Sequence, residues 1–465
     1  MNRNVRRATA SAERARARRV ASSAFLVAFA ACAGCGGEGG RAPSVAGRHA
    51  PAKNGAGPKT QGETRAVESP ESSSAAAIGA KPSVSAAVAN FGVRLVKEVG
   101  VNGGNVAVSP LGLHMSLSMV LSGATGQSQA ELGQFLGVPS EPRALVEAYA
   151  SLAQVRESKG FHVASRLDLA LGAHPDGAWV EDLKRGFGAE VALNDFEKEA
   201  REATARIDAW FRKETGGRIP ELFGHESLTN DTELVASSAI VFEEKWANRF
   251  RVVDTTDQAF TLVNGSTVSV PTLRGEKVRV GVAWGPRTEA GEAPMRSVGQ
   301  DGPYWAAMPF EGGEFVLLLG LPRSTTSLPE LEAELVNPGV ASLLSSMQYS
   351  EREVRLPEVD WLTPSTDFNS VLMALGLRKA YAGLSLGRAN LPGDCVLSRV
   401  LQRVRVRWNE EGAEFAAASS VVVGESVGAI VVKPLAFDHP FAFALVHRST
   451  GMILVQGRVM NPLKY

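Results

Sequence analysis

Four runs of this chain are apolar at almost every position: ELVASSAIVF (Glu233–Phe242), FVLLLGLP (Phe315–Pro322), FAFALVH (Phe441–His447) and MILVQGRV (Met452–Val459). A strand with one wet face alternates polar and apolar residues, so unbroken runs predict strands covered on both faces. REVRLPEV, RVRVRW and AFTLVNGSTVSVP add further strands, the last a hairpin turning on Asn264-Gly265. The helices that cover them come first. SVSAAVANFGVRLVKEVG (Ser83–Gly100) carries apolar residues at helical spacing. SPLGLHMSLSMVLSGAT opens with Ser109 as cap and Pro110 in the first turn. AREATARIDAWFRKETGGRIPELF predicts a helix that ends near Gly216-Gly217. Helices early and strands late give an α+β fold in one large domain, residues 82–465.

What precedes that domain reads as address and tether. MNRNVRRATASAERARARRV holds seven arginines and leads into a twelve-residue apolar run, Val20–Ala31. That run is too short to span a bilayer and fits the core of an export signal, residues 1–35. Cys32 and Cys35 follow small residues, a pattern that resembles a bacterial lipobox, where a cysteine is lipidated after cleavage. Either cysteine is a candidate, and plain secretion is the competing expectation. The arginine pairs also permit twin-arginine export. Residues 36–81 are Gly, Ala, Ser, Pro, Lys and Glu with almost no large apolar side chain, a composition expected to stay disordered. As a flexible tether it reaches roughly 35–40 Å. Cys395 is the one cysteine left in the domain, so packing and not a disulfide must hold the fold.

The 49 basic and 49 acidic residues balance, which gives no bulk attraction to nucleic acid. The seven histidines show no metal-ligand spacing, and no cofactor is implied. One motif does suggest chemistry. Gly424-Glu-Ser-Val-Gly428 fits G-x-S-x-G, the nucleophile elbow of hydrolases. An elbow needs a helix after the serine, yet AIVVKPLAFDHP is β-branched and broken by proline. An acid and then a histidine must follow, and only Asp438, His439 and His447 are available in the 39 residues beyond Ser426. Asp438 and His439 are adjacent, which leaves no chain to bring acid and base round to the serine. The motif is a coincidence of small residues.

The segment before it carries more. NEEGAEFAAASSVVV is acidic, then a glycine, then small residues suited to a mobile loop or to insertion into a crowded sheet. Counted by twos, Ala413, Phe415, Ala417, Ser419, Val421 and Val423 share one face, and Glu414, Ala416, Ala418, Ser420 and Val422 the other. An ordinary half-buried strand would show the same pattern.

At these residues the chain resembles a serpin. WNEEGAEFAAASS (Trp408–Ser420) is similar to the family's hinge, N-E-x-G-T-E-A-A-A-x-T. NVAVSPLGLHMSLSMVLSGATGQSQAEL resembles the segment running from N-x-x-x-S-P into the second helix. LVASSAIVFEEKWANRF is similar to L-V-N-A-I-Y-F-K-G-x-W-x-x-x-F, and FDHPFAFALVHRSTGMILVQGRVMNP to the closing strand pair and N-P. MPFEGGEFVLLLGLP and LPEVDWLTPSTDFNSVLMALGLRKAY match more weakly. The likenesses fall in order along the whole domain.

The resemblance implies a serpin fold, with helices around a large central mixed sheet, two further sheets and an exposed reactive loop. It also implies a non-enzymatic role, as bait for a serine or cysteine protease. The protease cuts the loop and forms an acyl-enzyme, and the hinge side then inserts as a new central strand before water can release it. The loop hinge runs Glu410, Glu411, Gly412, Ala413, Glu414, Phe415, Ala416, Ala417, Ala418. The family's spacing sets the reactive bond between Ser426 and Val427, so Ser426 is the acyl donor. A small residue there suits elastase-like or subtilisin-like enzymes. The expected protein is a monomer at a cell surface or in the periplasm, touching the membrane through its lipid only. The competing reading is a serpin-fold protein that is cleaved or binds a partner without trapping.

Departures from the pattern bear on that choice. Ala413 stands for a threonine, and Phe415 for an alanine on the inward face, where overpacking costs about 1–3 kcal/mol. The family's sheet-opening cluster maps to Asn105, Ser109, Pro110, Ser238, Trp246 and Gln402. There Ser238 stands for an asparagine, Gln402 for a histidine and Gly112 for a serine. Gln402 and Ser238 are expected to rebuild a polar bridge. Trp246 matches the tryptophan below the loop's point of entry, or is an ordinary core aromatic. His439 is expected to pack a turn. Arg403, Arg405 and Arg407 alternate as a solvated strand face, with a heparin-like site the weaker reading.

Overall fold

A computed structural model describes residues 83–156, 158–223, 228–284, 304–391, 393–413 and 434–464. The export signal, the tether with Cys32 and Cys35, hinge residues Glu414 to Ala418, and the bond Ser426–Val427 lie outside the described residues.

Helices dominate the first part: α1 (Val84–Val99), α2 (Pro110–Gly123), α3 (Gly126–Leu136), α4 (Pro142–Ala150), α5 (Ala153–Arg156), α6 (Gly177–Phe187) and α7 (Phe196–Glu214). Ser83 caps α1 by accepting the Ala86 N–H, and Ser109 caps α2 by accepting that of Gly112, with Pro110 in the first turn. Asp195 caps α7, so this helix starts one turn earlier than its apolar spacing indicates, and it ends before Gly216 and Gly217 at φ 59° and 83°. Helices α8 (Leu328–Ala333), α9 (Val340–Ser346) and α10 (Asn369–Ala374) fall among the later strands.

The strands are β1 (Val106–Val108), β2 (Phe161–Ala170), β3 (Ala189–Asn194), β4 (Leu234–Phe242), β5 (Glu244–Lys245), β6 (Thr256–Thr261), β7 (Thr267–Trp284), β8 (Tyr304–Pro309) and β9 (Phe315–Leu321). They continue as β10 (Gln348–Pro357), β11 (Val359–Leu362), β12 (Thr366–Asp367), β13 (Leu397–Gln402), β14 (Arg405–Trp408), β15 (Gly412–Ala413), β16 (Leu435–Ala436), β17 (Phe441–His447) and β18 (Met452–Val459). Nine form one sheet in the order β1-β18-β17-β9-β8-β7-β10-β16 with β6 on β7, and five form a second in the order β12-β13-β4-β2-β3. The Asn264-Gly265 turn joins β6 to β7; Gly265 takes φ 82° and Asn264 Oδ1 accepts the Ser266 N–H.

Burial explains the unbroken apolar runs. All nine residues of β4, seven of β17 and eight of β18 are buried, as is every residue of α2. On β4 the even-numbered Leu234, Ala236, Ile240 and Phe242 join the core with Leu317, Phe443 and Leu445 of the larger sheet. Val235 and Ala239 face the other way, under Phe196, Ala203, Ile207 and Phe211 of α7. The mixed second sheet therefore lies between a helix and a second sheet. No described helix is long and apolar enough to cross a membrane.

Candidate functional site

Strand β4 is paired over its whole length on one side and over half on the other. Its β2 ladder runs antiparallel from Phe161↔Phe242 to Leu169↔Leu234. Its parallel β13 ladder stops at Leu401↔Ser237. Beyond that point the chain enters β14, which pairs with β11 instead. Among the described residues no strand pairs with Ser238–Phe242 on this side. An apolar slot lined by Ile240, Phe242, Val406, Trp408, Ala413 and Phe443 among others lies between the two edges.

The hinge starts at the head of this slot. The Asn409 N–H donates to the Gly412 carbonyl at 3.0 Å, and Asn409 Oδ1 accepts the N–H groups of Glu411 and Gly412 at 3.0 and 3.3 Å. This side-chain turn reverses the chain. β15 then runs antiparallel to β5, with Gly412↔Lys245 and Ala413↔Glu244. Only glycine fits at 412, because a Cβ there would sit 2.2 Å from the Glu244 carbonyl oxygen.

Trp246 fastens the turn. Its backbone N–H donates to the Glu411 carbonyl and its indole Nε1 to the Asn409 carbonyl, both at 2.8 Å, while its ring stacks on Phe310 at 4.6 Å. The Phe250 N–H donates to the Glu410 carbonyl at 2.9 Å, and the Thr255 hydroxyl to Glu410 Oε1 at 2.7 Å. Glu358, between β10 and β11, is brought beside Glu410 by the Val359↔Trp408 register; burial first and the Glu410 charge second push its carboxyl up to about 7. Glu358 and Thr255 carry no signal in the sequence. One is an isolated acid after a proline, the other a threonine among polar residues.

The sheet-opening residues meet where the β13–β4 ladder ends. Gln402 Oε1 accepts the Ser109 N–H at 2.7 Å and its Nε2 donates to the Ser109 carbonyl at 2.9 Å. The Ser109 hydroxyl donates to the Leu454 carbonyl at 2.6 Å. A Cβ on Gly112 would lie 2.8 Å from Ser238 Oγ and 3.2 Å from Gln402 Nε2, so glycine at 112 makes room for glutamine at 402. Two expectations need correction. Ser238 takes no part in the bridge, and its buried hydroxyl has no hydrogen-bond partner among the described residues. Asn105 holds the C-terminal segment instead: its Oδ1 accepts the Met460 and Asn461 N–H groups and its Nδ2 donates to the Asn461 carbonyl.

The remaining polar candidates have local roles. His439 contacts Asp438 at 2.9 Å and the Pro322 carbonyl at 3.4 Å, and His447 contacts Thr450 at 2.9 Å. Arg405 and Arg407 both pair with Asp360, and Arg403 donates to the Thr363 and Glu221 carbonyls. His114 lies fully buried between the Tyr149 hydroxyl and the Leu136 carbonyl, and burial lowers its pKa to about 4.

Residues 86–462 match the family described as serpin, serine protease inhibitor. Human serpin I2 is 28% identical over 379 residues, spanning 80% of this chain and 90% of that protein. Mouse leukocyte elastase inhibitor A is 26% identical over 372 residues, spanning 77% and 93%. Among solved structures, thyroxine-binding globulin complexed with thyroxine superposes with a TM-score of 0.68 at 20% identity, covering 81% of this chain and 99% of that one.

Proposed function

The chain belongs to the serpin family, and on that premise we propose that it traps serine proteases as a suicide substrate. The observation that carries the reading is the register of β15. Each further step along an inserted hinge would be one step back along β4, so Gly412↔Lys245 and Ala413↔Glu244 would extend to Phe415↔Phe242, Ala417↔Ile240 and Ser419↔Ser238. Up to Ser419 the entering strand meets an edge with no partner among the described residues. Beyond it, Val421 and Val423 must displace β13 from Ala236 and Leu234, past the Gln402–Ser109 contact.

The energetics suffice without special side chains. About ten newly paired residues at roughly 0.5–1.5 kcal/mol net each amount to on the order of 10 kcal/mol, with apolar burial added. Directly paired residues of an antiparallel ladder share a face. In the inserted strand proposed here Phe415 would share the face of Phe242 and turn toward the apolar slot, which would lessen the overpacking its ring would cause in a closed sheet.

Cleavage falls at Ser426–Val427, with Ser426 as the acyl donor. A small residue there, and the likeness to leukocyte elastase inhibitor A, support an elastase-like target. The protein acts outside the cytoplasm, held by a lipid on Cys32 or Cys35 at the end of its tether, as a monomer without nucleic acid. The second reading is cleavage without trapping, the outcome if the Phe415 ring slows insertion enough for water to release the protease. Incubation with an elastase-type protease decides: a covalent adduct on a denaturing gel supports trapping, and a cleaved chain with no adduct supports the second reading.

A further inference from the structure

The hinge turn is fastened by one contact that has no donor unless a proton is present. The register Val359↔Trp408 sets Glu358 opposite Asn409 and next to Glu410. The two carboxyl groups are thereby neighbours, each making the other's ionisation costlier, and Glu410 also accepts the Thr255 hydroxyl at 2.7 Å. The Glu410 backbone is tied to Phe250, so the pair sits on the turn that reverses the chain.

The surrounding charges leave the pair short of compensation. Arg407 from β14 is the cation that faces Glu358, and it is shared with Asp360 of β11 at 3.8 Å. From the 250–255 turn come Thr255 and, beside it, Arg251 already engaged with Asp254 at 3.5 Å. β7 contributes the Pro271 carbonyl, which accepts the Glu358 N–H at 2.9 Å. Asp360 has Arg405 as a second partner, so Arg407 is the cation left to face both Glu358 and Glu410, and it is shared. Two carboxylates in contact repel, and a single proton between them turns repulsion into a hydrogen bond.

We propose that the Glu358–Glu410 pair is a proton-operated latch on the hinge. With its proton the pair holds the Asn409–Gly412 turn against the corner between β10 and β11. Without it the turn loosens and the residues that follow enter the slot more readily. The latch regulates the trapping proposed above and rests on that reading.

The direction with pH follows from linkage. The carboxyl of Glu358 is raised from 4.5 to about 7, so between those values the folded chain holds a proton that the unfolded chain has lost. Stability of the intact form falls as pH rises through that window and levels off above it. His114, lowered to about 4, contributes the opposite slope below 6.5, and it cancels when wild type and variant are compared at each pH.

The test uses thermal melts of the intact full-length chain from pH 5 to pH 8 for wild type, Glu358→Gln and Glu410→Gln. An amide at either position donates at every pH. Each variant should match wild type at pH 5 and melt progressively higher than it toward pH 7.5. A difference that stays constant across the range for both variants overturns the latch. The same samples, mixed with protease, should form adduct faster at pH 8 than at pH 6 in wild type after correction for protease activity, and with no such change in Glu358→Gln. If no adduct forms at any pH while the melts diverge, trapping fails and the latch stands; a constant melt difference with adduct present removes the latch alone.

Discussion

The amide of Gln402 grips both backbone groups of Ser109, accepting its N–H at 2.7 Å and donating to its carbonyl at 2.9 Å. This contact closes the β13–β4 ladder at Leu401↔Ser237, between a buried helix start and the last paired residues of the sheet. A strand entering from the hinge, as proposed, would have to break it. Gln402→Leu keeps the volume but orphans the buried Ser109 N–H, at a cost of about 1–3 kcal/mol to the intact form. Its denaturation midpoint should fall, and its loop should insert faster once cut, measured as the rate at which the nicked chain gains heat resistance.

Gly112→Ser puts a side chain where Ser238 and Gln402 leave no room. Overpacking of this kind costs about 1–3 kcal/mol. Combined with Gln402→Ala, which vacates the space, the loss should shrink. Equal losses in the single and double variants, by urea titration, would show that the two positions do not meet.

Phe415→Ala should leave the melting of the intact chain almost unchanged and lower that of the cleaved form. If the hinge continues the β15 register on insertion, the ring would enter the slot beside Phe242 only then. Deleting a buried phenyl costs about 3–5 kcal/mol in a core that cannot collapse. If adduct yield instead rises in Phe415→Ala, the ring obstructs the sheet and the slot does not receive it.

His114 sets an acid limit on the intact fold. Buried and neutral, it titrates near 4 in the folded chain against 6.5 in the unfolded one, so the unfolded state gains protons first as pH falls. Stability is complete above about 6.5 and is lost toward pH 4, by roughly 3 kcal/mol for a shift of this size. Urea midpoints between pH 7 and pH 4 should decline in wild type and decline less in His114→Gln.

Much of this was legible in the sequence, for identifiable reasons. Unbroken runs such as Glu233–Phe242 could only be covered strands, and β4 is buried along its whole length. Ser109-Pro110 and Asn264-Gly265 encode their local geometry, a cap and a turn, in residue type. Contacts across the sheet were not legible. Nothing in the spelling of Asn105 says that it clamps residues 460 and 461, because its partners are backbone groups over 350 positions away. Ser238 looked like half of a bridge because it can donate and accept, yet the Gln402 side chain reaches Ser109 and leaves that hydroxyl alone. Glu358 stayed invisible for a related reason: its chemistry depends on a second acid brought beside it by the β11–β14 register.

The most direct measurement is the thermal stability of the chain before and after a single cut between Ser426 and Val427. If residues beyond Ala413 continue the β15 register down β4, the cut chain should remain folded far above the temperature at which the intact chain unfolds. A cut chain that unfolds at the intact temperature, or below it, would contradict the account.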